Sequence, residues 1–167
     1  MTYKNKEYLK YIEDITSNEK VQKMAEFIQH GSVSTYEHCN RVAFYSYMLA
    51  KKLNISVDYR TLLLGAFLHD FYLYDWHESN DYEGLHGFKH PKIASYNAKK
   101  EFGLTLKQIQ IIESHMWPLT ITQVPKSKEA VIVCMVDKYS ATIEVLEEIM
   151  KKFKLKKASN KNEKLKV

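Results

Sequence analysis

A few residues of this chain carry chemistry that a folded protein has to account for. The stretch "LLLGAFLHDFYLYDW", residues 62–76, is apolar enough for a buried helix, yet it carries His69 and Asp70 side by side. An unpaired carboxylate in such surroundings costs several kcal/mol. Asp137 poses the same problem in "EAVIVCMVDKYSATIEVL", where Ala130, Val133, Cys134, Ala141 and Val145 share its helical side. His38 and His115 fall at inward helical positions, and so does His90 or His86 in "LHGFKHP". Taken singly, a histidine on an apolar face is a hydrogen-bonded core residue, and Asp70 is a helix-terminal cap. Taken together, residues from separate helices have no common local explanation. A divalent cation supplies one: imidazoles offer neutral nitrogen donors, and carboxylates neutralise the ion. Asp70 has two oxygens and can bridge two ions, while His69 binds one. His30 and His77 show no such placement and read as surface residues.

Helices must position these groups. The first 30 residues read as helices over roughly 4–14 and 18–30, ended by Gly31. Ser34 and Glu37 have capping-box spacing, and His38, Val42, Leu49 and Leu53 follow at helical intervals. Ser56 is placed to cap the helix that runs through "LLLGAFLHD". Residues 71–88 read as a long ordered loop forming one wall of the site, with Tyr72, Tyr74, Trp76 and Phe88 placed to stack on a base or to pack the loop. Pro91 suits the first turn of a helix to Phe102, which Gly103 ends. Thr105 and Gln108 give a second capping box before Pro118 stops that helix, and a last helix spans about 127–152. No strand pattern is evident. The expected fold is an all-α bundle around a central metal site.

Composition agrees with this. Of 167 residues, 45% are hydrophobic and 27% charged, with only 5 Gly and 3 Pro to break helices. No run reaches the roughly 18 apolar residues of a membrane span, and no signal peptide opens the chain. Cys39 and Cys134 are isolated, which suggests no disulfide framework and fits a cytoplasmic protein. The net charge of +5 misleads, because residues 151–167 hold 8 of the 25 basic residues and 1 of the 20 acidic ones. The remaining 17 basic and 19 acidic residues leave a body near −2. We therefore read one domain over 1–150 and a basic, flexible tail over 151–167. At most that tail makes weak contact with nucleic acid, and no membrane partner is expected.

The segments "YEHCNRVAFYSYMLAKKL", "LLLGAFLHDF", "HPKIASYNAKKEFGL", "IIESHMW" and "VIVCMVDKYSA" resemble the HD-domain superfamily of metal-dependent phosphohydrolases over about residues 34–145. The ordered series His…His-Asp…His…His…Asp, spaced by 31, 20, 25 and 22 residues, is far more specific than an HD dipeptide. The resemblance implies that His38, His69, Asp70 and Asp137 hold one metal. It implies that His90 and His115 add a second, bridged by Asp70, as in the two-metal branch with diadenosine-tetraphosphate hydrolases and cyclic-dinucleotide phosphodiesterases. No Gly-Tyr-Pro signature of the latter occurs. His86 competes with His90 as the third histidine, and the one that is not a ligand is placed to contact substrate phosphate. Many members carry a lysine three residues after the aspartate of the pair, where this chain has Leu73, so any role of that lysine is either absent or passed to Lys89, Lys138 or Arg41.

The expected activity is hydrolysis of a phosphoester of a nucleotide or related small phosphorylated metabolite, with Asp70 and His69 central. A nucleotide-like small molecule is the expected partner. An imidazole-rich set favours Fe or Mn, with Zn, Co, Ni or Mg admissible. The alternative is a non-catalytic module that keeps metal and pocket to sense a nucleotide. No G-x-S-x-G or P-loop pattern offers a rival chemistry.

Overall fold

A computed structural model describes residues 5–77 and 85–164, with side chains described as far as Lys156. Helix α1, Lys6–Thr16, is capped by Asn5, whose side chain accepts from the amides of Glu7 and Tyr8. The short α2, Glu19–Lys23, is capped by Asn18 and runs into a 3-10 turn, Met24–Glu26. Here the structure departs from the expected helix over 18–30. Residues Ile28–His30 (β1) and Val33–Ser34 (β2) pair as a small antiparallel hairpin, turning at Gly31 with φ of 59°. This is the one sheet among the described residues, and the sequence reading had no strand.

Helix α3, Thr35–Lys52, begins with the expected box: the Ser34 hydroxyl accepts from the Glu37 amide, and the Glu37 carboxylate accepts from the Ser34 amide. Such a cap contributes about 1 kcal/mol and sets His38 in the first turn, facing inward. Helix α4, Tyr59–Leu68, is capped by Asp58 rather than Ser56; the Asp58 carboxylate accepts from the Thr61 amide at 2.8 Å. Every residue of α4 from Thr61 to Leu68 is buried. It is the central helix, in contact with α1, α3 and the three helices that follow it.

Those helices are α5, His86–Phe102, α6, Leu106–Ser114, and α7, Lys128–Lys164. α5 starts five residues before Pro91, so the proline lies in its second turn, and Gly103 ends it in the left-handed region at φ 63°. α6 has the expected Thr105–Gln108 box. α4 and α6 approach so closely that a Cβ at Gly65 would stand 2.6 Å from Ile111 Cγ2. The helix expected to stop near Lys152 continues to Lys164, through most of the basic segment; residues 165–167 lie outside the described residues. So does the middle of the 71–88 segment, residues 78–84. No described helix is long and apolar enough to cross a membrane.

The fold is therefore all-α apart from the hairpin. Its core is built from Tyr8, Ile12, Leu62, Phe67, Phe71, Ile112 and Val133 with their neighbours.

Candidate metal centre

Five elements converge on one buried cluster. The end of α4 supplies His69 and Asp70, α3 supplies His38, α5 supplies His90, the end of α6 supplies His115, and α7 supplies Asp137. All six are buried, from 0% exposed for His38 and His69 to 8% for Asp137. The apolar run around His69 and Asp70 is the wall of this cluster.

The two oxygens of Asp70 face different histidines. Its Oδ2 lies 3.9 Å from His38 Nε2 and 3.4 Å from His69 Nε2, while Asp137 Oδ1 lies 3.1 and 3.5 Å from the same nitrogens. Its Oδ1 lies 3.1 Å from His90 Nε2 and 3.5 Å from His115 Nε2. His38, His69 and Asp70 can hold one ion, and Asp70, His90 and His115 another. His69, His115 and Asp137 form a further triad inside the same cluster.

Outer partners fix the rings. His69 Nδ1 donates to the Ala66 carbonyl at 2.8 Å, His90 Nδ1 to His86 O at 2.9 Å, and His115 Nδ1 to Ile112 O at 2.6 Å. A ring whose Nδ1 carries the proton presents a bare lone pair at Nε2. His90 Nε2 and His115 Nε2 nevertheless stand 2.9 Å apart. Two lone pairs at that distance repel unless a positive charge sits between or beside them. His69 Nε2 and Asp70 Oδ1 are buried with no hydrogen-bond partner among the described residues. Orphaned donors of these types, sharing one carboxylate, fit divalent cations.

The electrostatics give the same result. Burial disfavours a charged His38, yet hydrogen bonds to Asp137 and Glu144 outweigh it and push its pKa up to about 10. His69 is raised well above the usual imidazole range, the Asp70 charge overcoming burial. Asp70 and Asp137 are held well below the carboxylate range against burial, Asp70 chiefly by His69 and Asp137 chiefly by its hydrogen bond to His38. His115 falls to about 3 through burial and the neighbouring His69. The cluster thus favours positive charge, which protons on His38 and His69 supply and which a divalent ion would replace.

Three contributors escaped the sequence reading. Glu144, 1% exposed, accepts from His38 Nδ1 through Oε2 at 2.9 Å, while its Oε1 lies 3.5 Å from Arg41 Nε. It stands seven residues after Asp137, two turns along the same face, and that interval was the available signal. Gln29 donates from Nε2 to Asp70 Oδ2 at 2.6 Å, and its Oε1 accepts from the Tyr72 hydroxyl, which fixes the direction of the amide. His30, read as a surface residue, is half-buried instead and lies edge-on to His38 with ring centroids 5.6 Å apart. Both sit on the hairpin that the sequence pattern did not reveal.

A cavity of about 600 Å³ opens over the cluster. Gln29, His30, Asp70, His86, His90, His115, Asp137 and Lys138 form its polar side, and Trp76, Met116, Pro118 and Leu119 its apolar wall. His90 is thus within the cluster, and His86 stacks on it at 4.5 Å, with Trp76 stacked on His86 at 5.0 Å. The His86 Nδ1 meets the Tyr74 hydroxyl at 2.9 Å, and burial together with His90 lowers its pKa to about 4, so it is neutral at pH 7. Lys138 lines the cavity, but Lys89 and Arg41 do not. Lys89 is exposed, and Arg41 lies under Glu144 and Glu147. Leu73 adopts a left-handed φ of 61° and packs against the core, so no cation stands at that position. His77 is exposed beside Asp75.

An all-α bundle whose converging helices bury a His/Asp cluster of this composition defines a helical metal-site protein. Over residues 35–142, well over half its length, the sequence matches the HD domain family, and the chain belongs to it. That places it in the superfamily of metal-dependent phosphohydrolases, whose members bind divalent metals, and the buried cluster fits such a site. No curated protein and no solved structure matches the chain.

Proposed function

We propose that the protein hydrolyses a phosphoester of a nucleotide or related small phosphorylated metabolite. The observation that carries this reading is the sharing of Asp70: one oxygen serves His38 and His69, with Asp137 alongside, and the other serves His90 and His115. His38, His69, Asp70 and Asp137 would hold one divalent ion, and Asp70, His90 and His115 a second. Bound there, such ions supply Lewis acidity towards a phosphoryl oxygen and make water a nucleophile at neutral pH. The chain's own groups bind and orient. The outer partners on four imidazoles and Gln29 on Asp70 hold the donor atoms in place without rearrangement.

The cavity also supports a substrate with one phosphate on a compact, flat body, the chemistry of a nucleoside monophosphate. Its volume suits one small molecule. The wall of Met116, Pro118 and Leu119 is apolar, and the Trp76 Nε1–H is a buried donor with no acceptor among the described residues. Lys138 is the one lysine or arginine among the described lining residues, and its ammonium is already held by His115 O at 2.7 Å, Cys134 O at 3.2 Å and Cys134 Sγ at 3.3 Å. The intervening sequence "ESNDYEG", residues 78–84, contains three acidic residues and no basic one. Lysine and arginine are the side chains that best match the added charge of a polyphosphate chain, and the described lining has none to spare.

The experiment is metal analysis of the purified protein, followed by phosphate release from nucleoside mono-, di- and triphosphates with Mn, Fe, Co or Mg. We expect about two equivalents of metal, monophosphates turned over at least about tenfold faster than triphosphates, and no turnover by Asp70→Asn. A folded protein that releases no phosphate with any ion would refute hydrolysis. If it still bound a nucleotide, the sensor alternative would stand in its place. Triphosphates hydrolysed as fast as monophosphates would refute the single-phosphate assignment alone.

A further inference from the structure

Beyond Glu144, α7 has no buried residue as far as Lys156. From Val145 to Lys164 it continues for about 30 Å at 1.5 Å per residue. In proteins most helical stability comes from packing an amphipathic face rather than from propensity. This one carries an uncovered apolar stripe: Leu146 is 48% exposed, Ile149 43%, Met150 55% and Phe153 70%. At 100° per residue all four fall within an arc of about 100°, the width of a core-facing helical stripe. Met135 and Tyr139, 62% and 59% exposed, continue it back along the helix. Contiguous exposed apolar surface rimmed by charge marks an interaction site.

The charges beside the stripe say what covers it. Glu147 lies on one flank, and Lys151 and Lys154 follow on that same flank. Glu147 is half-exposed and meets Arg41 at 3.3 Å with one oxygen. A second α7 laid antiparallel, with the two-fold axis between Ile149 and Met150, brings Glu147 within one turn of the partner's Lys151 and Lys154. Symmetry repeats the contact, and the two stripes close on one another. A membrane surface would match the lysines but not Glu147 on the same flank.

We propose that the projecting half of α7 is a self-association surface, through which two copies of this chain pair antiparallel about Ile149 and Met150. Because the stripe is solvent-facing in one copy, charging it leaves the bundle intact. The test is sedimentation velocity of the full chain over a concentration series, with circular dichroism melting as the folding control. The expected result is a dimer. Met150→Asp and Leu146→Asp should each weaken it at least about tenfold without changing the melt recorded at concentrations where the wild type is itself monomeric. Lys154→Glu should weaken it through repulsion by the partner's Glu147, and Glu147→Lys combined with Lys154→Glu should restore it. A wild-type chain that stays monomeric throughout would overturn the proposal, as would a dimer indifferent to Met150→Asp. Monomeric protein that binds phosphatidylserine vesicles through this stripe would overturn it in favour of a membrane.

Discussion

Replacing Glu144 by Gln tests whether the metal centre is built outward from its ligands as the geometry indicates. Glu144 contacts no substrate-side cavity; it holds His38 Nδ1 at 2.9 Å from a position 1% exposed. The other three cluster histidines lean on neutral backbone carbonyls. A carboxylate partner makes the opposite ring nitrogen a stronger donor, and losing such a partner typically costs 10–100-fold in metal affinity, about 1.4–2.8 kcal/mol. Glutamine keeps the size and can still accept from Nδ1–H, so the loss should fall at the lower end. Glu144→Ala leaves a buried N–H without an acceptor and should reach the upper end or beyond. The assay is chelator competition with metal-loaded protein, followed by elemental analysis at each chelator concentration. One equivalent should leave earlier in Glu144→Gln, namely the ion held by His38, His69, Asp70 and Asp137, while the His90–His115 side keeps its own. If the variant and the parent protein lose both equivalents at the same chelator concentration, Glu144 does not orient a ligand and the reasoning fails.

Other outcomes follow from the same geometry. Gly65→Ala drives a methyl to 2.6 Å from Ile111 Cγ2 between α4 and α6, so overpacking of about 1–3 kcal/mol should outweigh the gain in helix propensity and lower Tm by several degrees; an unchanged or higher Tm would count against that contact. Ser34→Ala removes the hydroxyl half of the α3 capping box and should cost about 1 kcal/mol in denaturant unfolding, with the slope m unchanged. In metal-free protein, His38 is raised from about 6.5 to about 10, so its stabilising contribution is complete below pH 6.5 and is lost as pH rises through about 10. The depressed Asp70 and Asp137 contribute above about pH 3.9 and lose that contribution as pH falls. His115 and His86, lowered from 6.5 to about 3 and about 4, act in the opposite sense and lose stability as pH falls below 6.5. Thermal melts in chelator should therefore show greatest stability near pH 6.5 and a decline on the alkaline side; a flat profile from pH 6.5 to 10 would contradict the assignment of a proton to His38.

What the sequence determined by itself was the helical class and the set of buried histidines and aspartates that come together. Burial conflicts such as Asp70 after a run of leucines, or Asp137 within "VIVCMVD", are visible without coordinates, because apolar periodicity tells which face turns inward and a charge there has to be compensated. The capping boxes at Ser34 and Thr105 were legible for the same local reason, since their hydrogen bonds close within four residues. What only the tertiary structure decided were the relations between distant groups: that the two oxygens of Asp70 divide between two pairs of histidines, that Glu144 backs His38 and Gln29 backs Asp70, and that His30 reaches the cavity from a hairpin too short to show a strand pattern. The candidate cations sorted the same way, with Lys138 brought to the cavity but tied to backbone carbonyls, and Arg41 turned to Glu144 and Glu147. Local sequence fixes which way a side chain faces from its own helix; which partner it meets depends on how the helices pack around α4.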